Sequence, residues 1–186
     1  MIGEDGLSPL CILVGDNSSR IMPLADATLV PTSLISNDWS DIALIEIDMA
    51  TALKGFARNA RLVDLDTFFD DWEPFAEVAD FAAIGFPSER SSIDFEKRTV
   101  TTGRTILQGQ YAGPAGQHRC HYMTVNDGLG LSTWQGMSGG PVFAWVRRLG
   151  LPSQLFLAGI AIQGTPTFGM ITFIEARIIR SALAVW

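Results

Sequence analysis

Short apolar runs punctuated by turn residues are what most limit the folds open to this chain. "LCILVG" (10–15), "IALIEID" (42–48), "FAAIGF" (81–86), "RTVTTGRTIL" (98–107), "HYMTV" (121–125), "PVFAWV" (141–146), "LFLAGIAI" (155–162) and "GMITFI" (169–174) are rich in Val, Ile, Phe and Thr. Gly, Pro, Asn and Asp bound them, as they bound strands. Two segments read as helical: the acidic "LDTFFDDW" (65–72), and "EARIIRSALAVW" (175–186), with apolar residues at helical spacing. Many short strands followed by one terminal helix predict an all-β barrel or sandwich.

Composition supports a packed core and excludes some partners. The chain has 186 residues, 47% of them hydrophobic and 18% charged, which argues against disorder. Its net charge of −7 and the lack of any Lys/Arg-rich run make nucleic acid and anionic membrane surfaces poor partners. No apolar run approaches the ~20 residues of a membrane helix. "MIGEDGLSPLCILVG" has no basic n-region, so it does not read as a signal peptide. The compartment stays open, with a cytoplasmic location expected if Met1 is the true start. Cys11 and Cys120 make no disulfide framework. The acidic stretch "DLDTFFDDWEPFAEVAD" (64–80) reads as a solvated connection between two halves, 1–72 and 73–186.

"QGMSGGPVF" (135–143) carries the chemistry. A nucleophilic serine needs a base for its proton, an orienting carboxylate behind that base, and preorganised N–H donors for the oxyanion. Glycines beside the serine leave those N–H groups uncovered. A tight turn before a strand would also account for the residues.

"GMSGGP" (136–141) resembles the Gly-Asp-Ser-Gly-Gly-Pro signature of trypsin-fold (chymotrypsin-like) serine proteases. The resemblance implies Ser138 as nucleophile and the Gly136 and Ser138 N–H groups as the oxyanion hole. "SDIALIEID" (40–48) is similar to the family's aspartate segment, which makes Asp41 the orienting carboxylate. In chymotrypsin the aspartate also comes first, roughly 93 residues before the serine, close to the spacing here. The family's specificity pocket would fall on Ser132, Thr133, Trp134 and Gln135. Its other wall would fall on Ile162, Gln163 and Gly164 of "GIAIQG", with Gly169 opening the last strand. "FAAIGFP" (81–87) looks like the first strand of the second barrel in bacterial members. The resemblance implies a trypsin-like double β-barrel with the first barrel incomplete, a C-terminal helix, peptide or protein substrates, and no cofactor or metal. A neutral Ser132 at the pocket base implies small or apolar P1 residues.

The chain departs from the family at the base. In chymotrypsin the histidine lies roughly 45 residues before the aspartate, and here no histidine precedes His118. Two explanations stand: an N-terminal truncation, or a pseudoprotease that acts as a peptide-binding module. His118 and His121 belong to the second barrel's half and are expected as exposed strand-end residues rather than substitutes for the base. With Cys120 they lack the second cluster of a zinc site. Met137 replaces the acid that many animal members use for activation, so that form of maturation is not expected.

Overall fold

The computed structural model describes residues 11–13, 21–23, 26–29, 43–46, 71–97, 99–116, 119–147, 150 and 152–184. The chain divides into two compact units. One takes Val63–Ser91 and Gly103–Ala184, and the other Met1–Leu62, Ser92–Thr102 and Val185–Trp186.

The first of these units is built on a closed barrel. Its strands are β5 (Asp80–Gly85), β8 (Thr105–Pro114), β9 (Cys120–Val125), β10 (Pro141–Val146), β11 (Gln154–Thr165) and β12 (Met170–Glu175). The order around the barrel is β10-β11-β12-β9-β8-β5, with β5 closing on β10, and every pair is antiparallel. Helix α1 (Ala176–Ala184) follows β12 directly. Alternation along the strands explains the closure. Phe81 and Ala83 of β5 and Val142, Ala144 and Val146 of β10 are buried, with less buried residues between them. Leu107, Met123, Phe156, Ala158, Ala161, Ile171 and Phe173 complete the interior. Ala144 pairs with Phe81 and Ala161 with Phe173, the alternation of small and large residues that a small barrel interior needs. Trp72 joins this core from the segment before β5 and meets Phe81 edge-on at 5.5 Å between ring centroids.

The other unit carries short pairs: β1 (Cys11–Leu13) with β2 (Ile21–Pro23), and β3 (Asp26–Leu29) with β4 (Ala43–Glu46). β6 (Ser91–Asp94) pairs β7 (Thr99–Thr102). No helix among the described residues is long and apolar enough to cross a membrane.

Three details differ from the sequence expectation. The run 98–107 is not one strand. It breaks after β7, where the Gly103 N–H leaves the ladder to bond the Arg90 carbonyl at 2.8 Å, and resumes in the barrel as β8. β6, with only one large apolar residue in "SSID", carried too little pattern to be read as a strand. Asp71 and Trp72 at the end of the expected helix 65–72 are not helical, and residues 65–70 lie outside the described residues.

Candidate active site

Trp134 to Gly140 form a loop fastened to the barrel on several sides. Phe86 N–H donates to the Gly136 carbonyl at 3.2 Å, and Ser88 N–H to that of Gln135 at 2.8 Å. Gly139 N–H donates to the Ala161 carbonyl, and Ala161 N–H to that of Gly140, both at 2.8 Å. Inside the loop Met137 N–H bonds the Trp134 carbonyl and Gly140 N–H that of Met137. Trp134 and Met137 point inward at 3% and 2% exposure. Met137 packs so closely on β5 that a Cβ at Gly85 would lie 2.7 Å from its sulfur. The residue before the serine is thus an apolar plug.

Two glycines of the motif are demanded by space. A Cβ on Gly140 would lie 1.9 Å from the Ile84 carbonyl oxygen. At Gly136 φ is +93°, and a Cβ there would meet the Phe86 oxygen at 2.4 Å. Both lock the loop against the end of β5. Ser138 lies between them and is exposed. Neither the Gly136 nor the Ser138 N–H donates to a backbone carbonyl among the described residues.

The Ser138 hydroxyl donates to the Ile162 carbonyl at 3.2 Å. Ile162 is where the β11–β12 register shifts, between Ala161 and Gln163. β11 pairs β10 only as far as Ile160, opposite Pro141. Beyond Ala161, and among the described residues, its ladder partner is β12 alone. The other edge, along Ile162 to Gly164, begins beside Ser138. An unpaired strand edge next to a hydroxyl can align an extended peptide by main-chain hydrogen bonds.

The residues expected in the pocket divide. Gln135 and Gln163 are exposed, and Thr133, Ile162, Gly164 and Gly169 are half-buried. Trp134 belongs to the core, and a Cβ on Gly164 would come within 3.0 Å of its ring. Its indole Nε1 is buried with no hydrogen-bond partner among the described residues. Gly169, at φ +61°, closes the β11–β12 turn through a bond to the Pro166 carbonyl. Ser132 is exposed, and its hydroxyl donates to Glu89. Ser132 N–H and Thr133 N–H donate to the same carboxylate at 3.2 and 2.8 Å. These bonds, the Ser132 hydroxyl first, hold the Glu89 carboxyl below the usual carboxylate range. The expectation of small or apolar P1 residues therefore loses its premise, because a carboxylate is bound to Ser132. Glu89 lies 43 positions upstream, and no local pattern announced it.

Asp41 and His118 lie outside the described residues. His121 is not the exposed strand-end residue expected. It is 8% exposed. Its ring stacks on Phe173 at 5.5 Å and meets Trp72 edge-on at 5.1 Å, and its Nδ1 is 3.0 Å from the Tyr111 hydroxyl. This aromatic surround is why it is buried. Phe173 pairs with His121 on one side and with Ala161 on the other, so two strand spacings, about 10 Å, separate them. His121 is thus committed to this aromatic cluster and to the Tyr111 hydroxyl. Ligand atoms of Glu73, His121 and Glu175 lie within 4.8 Å of one another, a grouping hidden in sequence because the three come from separate elements. Cys120 is buried, and burial pushes its thiol up to about 11, too high for a reactive thiolate.

The fold and site define a six-stranded antiparallel barrel that presents a glycine-bounded serine beside a strand edge. No family model and no curated protein matches the chain.

Proposed function

We propose that the chain is a domain of a trypsin-fold serine endopeptidase in which Ser138 is the nucleophile. One observation carries the reading: Ser138 is exposed on a pinned loop, with its hydroxyl at the start of the β11 edge that has no ladder partner among the described residues. A peptide added along Ile162–Gly164 would bring a carbonyl toward that hydroxyl. The Gly136 and Ser138 N–H groups, unspent on backbone carbonyls, are the donors this reading assigns to the oxyanion. Asp41 is assigned the orienting role, and the short sheets of the other unit are assigned to the first barrel. This reading assigns the general base to neither His118 nor His121. Acylation forms a bond from Ser138 Oγ to the scissile carbonyl carbon and breaks the peptide C–N bond. The base passes the serine proton to the leaving amine.

For the 186-residue chain the expected outcome is little or no peptidase activity, since loss of one triad member removes most of the rate. The test is fluorophosphonate labelling of the chain expressed with the in-frame upstream coding sequence. Labelling that requires both Ser138 and an upstream histidine supports the enzyme. No labelling sinks it and leaves the second reading, a peptide-binding module that uses the β11 edge beyond Ala161. Rapid labelling of Ser138 in the 186-residue chain would overturn the assigned lack of a base within it.

A further inference from the structure

A second place in the barrel collects ligand chemistry. Glu73 enters from the turn before β5, His121 from β9, and Glu175 from the end of β12. Their ligand atoms all lie within 4.8 Å of one another. Glu175 is 3% exposed and His121 8%, while Glu73 is exposed. Ordinary ion pairing does not account for the whole arrangement. Arg119 donates to Glu175 Oε2 at 3.3 Å. Arg177 lies with Nε 3.1 Å from Glu175 Oε1, yet that oxygen is buried and has no hydrogen-bond partner among the described residues. The guanidinium is near it without aiming an N–H at it. Arg177 instead donates to Asp71 and, at 3.0 Å, to Glu73. Among the described residues, the Glu175, Asp71 and Glu73 carboxylates share the Arg119 and Arg177 guanidiniums. A buried acceptor with an unused lone pair is costly.

The geometry points to a divalent-metal site of the zinc type, with Glu73, His121 and Glu175 as its protein ligands. A neutral imidazole with two carboxylates is a donor set that suits zinc. The Tyr111 hydroxyl holds His121 Nδ1 and so leaves the other ring nitrogen as the ligand, the outer-sphere arrangement that metal-bound histidines use. Ligands about 2 Å from the ion would sit roughly 3.3 Å apart in a tetrahedron, so the cluster must tighten. Glu73, exposed on its short turn, is the member placed to move. The site would tie the segment before β5 to β9 and to the start of α1. Its role is structural and independent of the Ser138 reading.

The test uses the whole chain, free of tags and stripped with a chelator. Zn²⁺ is titrated by calorimetry and Co²⁺ by visible absorption. The expected result is saturable one-to-one binding, a tetrahedral Co²⁺ band and a higher Tm. Glu73→Gln, at an exposed side chain, keeps the fold and weakens binding about 10-fold or more. His118→Ala leaves it unchanged. Absence of saturable binding overturns the proposal. So does a Glu73→Gln chain that binds as tightly as the parent, or binding lost on His118→Ala.

Discussion

At the scale of single residues, partners decide the chemistry. Glu89 accepts the Ser132 hydroxyl and the backbone N–H groups of Ser132 and Thr133. Its carboxyl is held below the usual range. A lowered carboxyl stabilises at pH values above its unfolded value, and that contribution is lost as pH falls through the folded one. Ser132 and Thr133 amides should therefore stay protected through the normal glutamate titration and exchange faster only at lower pH. Amide exchange followed by NMR, with Glu89→Gln as the control, checks this; protection that vanishes with an ordinary glutamate midpoint would refute it. The glycines around Ser138, by contrast, are contiguous in "GMSGGP", so the tight loop they form could be expected from six consecutive residues.

At the scale of elements, the loop from Trp134 to Gly140 shows why those glycines are there. Gly140 lies against the backbone of β5, whose Ile84 carbonyl cannot swing aside as a side chain could. Gly140→Ala should displace the loop and cost about 1–3 kcal/mol by overpacking. A thermal melt would then fall by several degrees for a chain of this size. An unchanged Tm would mean the loop is looser than this packing implies. Strands with strong apolar patterns, such as "PVFAWV" and "GMITFI", were readable because alternation follows from the pleat. The break at Gly103 was not. It depends on a bond to the Arg90 carbonyl, and no local period records a partner 13 residues away.

At the scale of the whole molecule, the barrel and the serine loop share one core. Met137 is both the residue before Ser138 and one of the largest fully buried side chains. Met137→Ala should destabilise the chain by about 2–5 kcal/mol, because it removes core contacts and opens a cavity against Gly85. Urea unfolding measures this, and a cost below about 1 kcal/mol would show that the loop is not part of the barrel's packing. The amino-acid sequence by itself determined the β-rich class, the terminal helix and the glycine-bounded serine, since these rest on periodicity and on contiguous residues. Tertiary structure alone decided the rest. Barrel closure brought β5 beside β10, left β11 beyond Ala161 paired to β12 alone among the described residues, bound Glu89 to Ser132, and gathered Glu73, His121 and Glu175. These are meetings between distant segments, and they arise only when strands close around a shared apolar interior.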